Sequence, residues 1–355
     1  MDSRIEDLIN SLRSGNWDAG RKASLTLAEI GAEAVAPLIG VLREYHSWDE
    51  YVDDDNPLHF AEEALIKIGA PAVEELIAAL KEDSWGVRVG AVAVLGEIGD
   101  VRAVQPLIGT LRYDGMAKGE TGEALVRFGD VALRPLLYAL KNNDDPAIRS
   151  GAAAVLTEFS DPLIVPALIE AVETDKEAVV RQSAVYVLSR KPDTRSIEPL
   201  VIALEDPDPA VREETARALG EIGAVITSSL LVEALTEALT DPDWGTRQSA
   251  AEMLIRLKTD SKDEAERRLL ADLQNEDVEI RLGSAWSLMH VGDERALEPL
   301  VQLLYHDNTH MVTLAAVALG KLGDQRAVIP LTATLNHADQ EVRDAAKAAL
   351  RQLEA

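Results

Sequence analysis

No cysteine occurs among the 355 residues, so disulfides, thiolate metal sites and cysteine nucleophiles are excluded. Aromatics are scarce at 4%, which leaves little to fill the interior of a large sheet. Uninterrupted apolar runs of about 18 residues are missing, and Met1 to Arg13 mixes charge with its apolar positions. The sequence therefore predicts no membrane span, no signal peptide and a cytoplasmic location. Positive charge is also short: 35 Lys and Arg stand against 62 Asp and Glu, a formal net charge of -27. Such a chain would repel a phosphate backbone, so no nucleic-acid partner is expected. Gly-x-Gly-x-x-Gly, His-Glu-x-x-His and Gly-x-Ser-x-Gly are all lacking, and no catalytic motif stands in their place.

What is present is repetition. Taking Gly31, Gly69, Gly99, Gly129, Ser160, Pro192, Gly223, Lys258, Gly292, Gly323 and Glu354 as anchors, a leucine stands four residues before each: Leu27, Leu65, Leu95, Leu125, Leu156, Leu188, Leu219, Leu254, Leu288, Leu319 and Leu350. Eight before, the residue is always small, from Ala23 and Ala61 to Ala315 and Ala346, which allows a neighbouring helix to approach. Fifteen before stands a run of helix-capping residues, among them Asn16, Ser84, Asp145, Asp208, Asp243, Asn308 and Asp339, with Glu177 the exception. Each cap opens a helix B of about four turns that ends at the anchor, where a glycine supplies the left-handed residue. Upstream, patterns such as Gln105-Pro106-Leu107-Ile108 and Glu298-Pro299-Leu300-Val301 mark a shorter helix A with proline in its first turn.

One such hairpin cannot bury its own apolar face and must stack on the next. The predicted fold is all-α: a single right-handed superhelix over residues 1–355, of about eleven hairpins ending at the anchors, with an insertion at 44–56. Asp208 to Gly223 and Val87 to Asp100 resemble the HEAT repeat, most closely its phycobilisome-lyase (PBS lyase) variety. The resemblance covers essentially the whole chain and implies a HEAT/armadillo-like solenoid whose B helices line a concave surface. It does not fix the function, because scaffolds, lyases and regulators share the pattern.

Arg88, Arg149, Arg181, Arg212, Arg247, Arg281 and Arg343 stand eleven before their anchors, about 20 degrees round the helix from the leucine, and so face the stack. A buried guanidinium needs partners, and turn carbonyls and carboxylates of the same or the adjacent repeat are the natural ones, giving a structural ladder. Gly20, Leu58, Lys118 and Val312 interrupt it. Trp17, Trp85 and Trp244 share the first B-helical position and are expected to pack along the turn edge.

The solvent face of the B helices is the expected binding surface. In repeats three to five it reads as nearly bare, with mid-helix Gly90, Gly119 and Gly151, each costing roughly 0.5–1 kcal/mol against alanine. In repeats nine and ten Leu282, Trp286, His290, His310, Leu314 and Val317 form an apolar patch expected to contact a partner. The insertion carries Trp48 and Tyr51 among acids, without calcium-loop spacing, and could clamp a basic partner.

Together these features imply a non-catalytic adaptor or scaffold holding a protein partner, without cofactor or metal, as a monomer or weak homo-oligomer. The resemblance also implies an alternative, a bilin (tetrapyrrole) lyase or isomerase using the bare groove. Against it, the exposed face of repeats three to five supplies no arginine for the propionates. A HEAT-like metal hydroxylase would require His-Glu pairs, and the sequence has none.

Overall fold

The computed structural model describes residues 3–14, 16–44, 57–112, 116–226, 228–239, 241–257, 262–290 and 293–354. Every regular element among them is helical. They fall into two compact units, Met1–Val187 and Leu188–Ala355. Trp48 and Tyr51 lie outside the described residues.

Short A helices alternate with longer B helices as the repeat pattern requires. In the first unit Val73–Ala79 precedes Trp85–Ile98, and Val104–Thr110 precedes Met116–Arg127. In the second, Ser229–Ala238 precedes Trp244–Arg256, and Leu297–Leu303 precedes Thr309–Leu322. The repeated leucines Leu27, Leu65, Leu95, Leu125 and Leu156 are 0% exposed, as are Leu188, Leu219, Leu254, Leu288 and Leu319. Leu350, in the last helix, is half-buried. A buried leucine contributes about 1.5–3 kcal/mol relative to an exposed one, so this column is the spine of each unit.

Caps start the B helices. Asn16, Asp145, Asp208, Asp243, Asn308 and Asp339 each accept a backbone N–H of the first helical turn, at 2.8–3.0 Å. Ser84 caps nothing with its side chain, and its buried hydroxyl has no hydrogen-bond partner. At the other end Gly99 and Gly323 take the left-handed conformation that favours glycine. Gly223 departs from the expectation: it remains helical, and the chain continues through Ala224 in the right-handed region. Trp17–Leu42 is long enough to cross a membrane, with a mean hydropathy of 1.6 in its most apolar window. The helix breaks at Gly31 (φ 78°), and Glu29 and Glu33 interrupt its apolar run, so its apolarity is that of a repeat hairpin.

The arginines hold the A–B turns. Arg212 Nη1 donates to the carbonyls of Asp206 (2.9 Å) and Pro207 (3.4 Å), while Nε and Nη2 fork onto Asp241 of the next repeat at 2.9 and 3.0 Å. Arg149 does the same with Asn143, Asp144 and Asp175. Arg88, Arg181, Arg247, Arg281 and Arg343 each donate to two carbonyls of their own turn. Where the ladder stops, packing replaces it. Gly20 lies under the Phe60 ring, which a Cβ would meet at 2.6 Å, and Leu58 and Val312 are wholly buried.

A second ladder runs along the other turns and was not anticipated. Arg102, Arg295 and Arg326 each pair with the aspartate two residues earlier and reach back to Glu74, Glu266 and Glu294 of the preceding repeat. The Arg102 side chain and then its backbone N–H hold the Asp100 carboxyl down at about 2.

Candidate functional site

In the second unit three B helices, Trp244–Arg256, Val278–His290 and Thr309–Leu322, flank an open cavity of about 350 Å³. Leu282, Trp286, His310 and Leu314 line it, joined by Trp244, Gln248, Gly283 and Met311. Gly283 makes the arrangement possible, since a Cβ there would meet Gln248 Oε1 and Trp244 Cζ3, both at 2.4 Å. The Trp286 indole is fixed from two sides. His290 stands edge-on to it at 5.7 Å between ring centroids, and Lys321 Nζ lies 5.3 Å from its centroid, within cation–π range.

In the first unit a wider groove of about 770 Å³ runs between Met116–Arg127 and Pro146–Val155. Its floor is Gly119, Gly122, Gly151 and Ala154, and its charged wall is Glu123, Arg127 and Glu158. Arg127 Nε also lies 3.1 Å from Glu97. Burial, with the charge of Glu123 added, pushes the neighbouring Glu120 carboxyl above its ordinary range, although Arg127 opposes the shift.

The HEAT-repeat family model matches the chain at residues 113–189, 165–254, 197–275, 232–318 and 266–351, more than half its length. The model of the PBS lyase HEAT-like repeat matches residues 87–112. The chain belongs to the HEAT-repeat family. Among solved structures it is similar to the karyopherin Kap121p bound to the extreme C-terminus of the protein phosphatase Cdc14p, with 14% identity and a TM-score of 0.55, over 99% of this chain and 45% of that one. It also matches the CpcE–CpcF complex of phycocyanin lyase from a Nostoc species (18% identity, TM-score 0.38, 79% and 94% covered). A third match is YibA of E. coli (20% identity, TM-score 0.43, 83% and 96% covered). At 14% identity the likeness to the karyopherin shows the fold alone, an all-α solenoid. No curated protein matches the sequence.

The HEAT stack brings some of the predicted site residues together and separates others. Trp286, His310 and Leu314 share the cavity, whereas His290 touches it only through Trp286, and half-buried Val317 does not line it. Leu282 is 7% exposed and not a solvent-facing residue, because Trp244 and Gln248 of the preceding HEAT repeat lean over the adjacent Gly283. Gly119 and Gly151 line the groove, but Gly90 does not. Gly90 is buried against Leu42 and Glu62, which a Cβ would meet at 3.0 and 3.3 Å, so the face of the third repeat is covered and not bare. The expectation of no arginine beside the glycines is corrected as well, since Arg127 stands in the groove wall.

Gln248 was missed, and Trp244 was expected along the turn edge and not over the next helix, because a wheel treats each helix alone. The first B-helical residue of one HEAT repeat leans onto the residue nine before the anchor of the next, as Trp244 does on Gly283. Trp17 reaches Phe60 in the same way, edge-on at 6.3 Å. A tryptophan followed one repeat later by glycine at that register was the available signal.

Proposed function

We propose that this HEAT-repeat chain is a non-catalytic adaptor that holds a protein partner through the surface of its B helices. The observation that carries the reading is the cavity in which three successive B helices gather Trp244, Trp286, His310 and Leu314. Interfaces draw most of their energy from a few such aromatic anchors set in a pocket. The karyopherin with the same fold is described bound to a protein C-terminus, a use of the solenoid that fits. The reading includes a cytoplasmic chain acting as a monomer or weak homo-oligomer.

One observation favours a second reading. The glycine-floored groove is wide enough for a flat ligand, and Arg127 could meet an acidic side arm of a tetrapyrrole there. Mixing the purified chain with a bilin separates the two. An unshifted visible spectrum, together with a stoichiometric protein partner in affinity capture from the source organism, is the expected result. A shifted band with tight, stoichiometric binding would replace the adaptor by a chromophore-handling protein.

A further inference from the structure

Three carboxylates at the glycine-floored groove of the first unit stand unpaired. Glu123 and Glu158 are exposed in its wall and Glu120 adjoins Glu123 on the same helix, and none of them has a hydrogen-bond or ion-pair partner among the described residues. Burial, with the charge of Glu123 added, raises the Glu120 carboxyl more than Arg127 lowers it, so the negative charge here is not fully offset. Arg127 is itself engaged by Glu97 at 3.1 Å. Arg88, Arg149 and Arg181 of this and the flanking B helices are held at the A–B turns by backbone carbonyls. Among the described side chains the groove is therefore acidic.

The floor supplies an independent feature. Gly96 and Gly320 in other B helices leave no room for a side chain, because a Cβ on either would meet the next helix within 2.8 Å. At Gly119 a Cβ would meet nothing within 4 Å, and at Gly122 only Val155, at 3.4 Å. Glycine inside a helix destabilises it relative to alanine, and packing within the chain does not require it at these two positions. What they provide is access: an open, weakly polar floor of small residues beneath a rim of carboxylates.

Building on the adaptor reading, we infer that this groove docks a basic segment of the partner protein. Lys and Arg side chains of the segment lay their methylene stems on Gly119, Gly122 and Ala154 and carry their charged ends to Glu123, Glu158 and Glu120, as amphipathic side chains do wherever an apolar surface borders a polar one. The volume, about 770 Å³, admits several such side chains. The net charge of -27 steers a basic segment toward the chain, and the unpaired carboxylates decide where it docks. An anionic segment would find Arg127 alone and would have to displace Glu97 from it.

Panning random phage-displayed peptides on the full chain tests the assignment. The expected consensus carries two or more Lys or Arg among small or apolar residues. A fluorescein-labelled peptide of that sequence should bind the double variant Glu123→Gln/Glu158→Gln about tenfold more weakly by anisotropy, and Glu33→Gln/Glu173→Gln, which removes the same charge from exposed sites away from the groove, less than about twofold more weakly. All four residues are exposed, so both variants keep the fold, with circular dichroism as the control. Arg127→Ala should tighten binding about threefold, since it removes the competing cation and releases Glu97, whereas an anionic ligand would be weakened by it. Gly119→Leu should weaken binding about tenfold without lowering the melting temperature, a combination that a glycine needed only for packing would not give. Enrichment of Asp- and Glu-rich peptides, equal losses in the two double variants, undiminished binding by Gly119→Leu, or no enrichment above an empty surface would overturn the inference. If panning fails while capture by the full chain still returns a stoichiometric protein partner, the groove assignment falls and the adaptor reading stands. Failure of both removes the adaptor reading too.

Discussion

A guanidinium set into a turn between two helices has five N–H donors to satisfy, and Arg212 divides them between two carbonyls of its own turn and both oxygens of Asp241. With the two side chains only 12% and 10% exposed, the pair is shielded from solvent, unlike the surface pairs of Lys67 or Lys347. Removing one partner leaves the other charge buried. Arg212→Ala is therefore expected to lose about 3 kcal/mol in urea unfolding, and Arg212→Lys to recover only part of it, because a point charge cannot make the fork. A loss below about 0.5 kcal/mol would reduce the ladder to an ordinary surface pair. The equivalent Asp175 gives the acid side of the same device. Burial pushes its carboxyl up, but the Arg149 fork and the Glu177 N–H outweigh burial and hold it below its ordinary 3.8. A depressed carboxyl stabilises fully above its unfolded value and loses that contribution as pH falls through the folded one. Asp175→Asn should lower stability at neutral pH and flatten the decline below about pH 4. Unfolding midpoints over that range check it, and an unchanged acid limb would show that the fork does not form in solution.

At the scale of the helix, two pairs of adjacent B helices approach so closely at a glycine that no Cβ fits. A Cβ on Gly320 would lie 2.7 Å from Ala349 Cα, and one on Gly96 would lie 3.0 Å from Ala124 Cα. Because backbone cannot move aside as a flexible side chain can, Gly320→Ala is expected to destabilise by about 1–3 kcal/mol despite its better helix propensity. A gain in melting temperature would mean that the helices slide apart freely. Ser84 predicts the opposite sign. Its repeat lacks the side-chain cap that Asp145 and Asp208 supply in theirs, so Ser84→Asp should stabilise Trp85–Ile98 by about 1 kcal/mol, read as a higher urea midpoint. These elements were legible in the sequence because each repeat restates its caps, leucine and small residue at fixed spacing. Gly90 and Leu282 were misplaced because what covers them belongs to the neighbouring repeat: Leu42 and Glu62 for one, Trp244 and Gln248 for the other. Periodicity within a helix reports which face is apolar. Which neighbour leans across that face depends on the stacking register, and only the pairing of Trp244 with Gly283 hinted at it.

For the whole molecule two electrostatic effects of opposite sign compete. The net charge of -27 makes the folded chain repel itself, which salt relieves. Ion pairs such as Arg102 with Glu74 and Arg326 with Glu294 are attractions that salt weakens. Exposed pairs such as these contribute little, and the forked pairs of Arg149 and Arg212 are shielded from added ions by their burial. The repulsion acts over tens of ångströms at low salt, whereas each pair acts across one turn, so relief of repulsion should prevail. The urea midpoint is therefore expected to rise as sodium chloride goes from about 0.01 M to about 0.1 M, over which the Debye length falls from about 30 to about 10 Å. Arg102→Ala should make the rise steeper, because it deletes a salt-weakened attraction and leaves one more uncompensated negative charge. A midpoint that falls with salt, or a variant with a shallower slope, would show that the turn-edge ion pairs and not the net repulsion dominate the charge-dependent part of the stability.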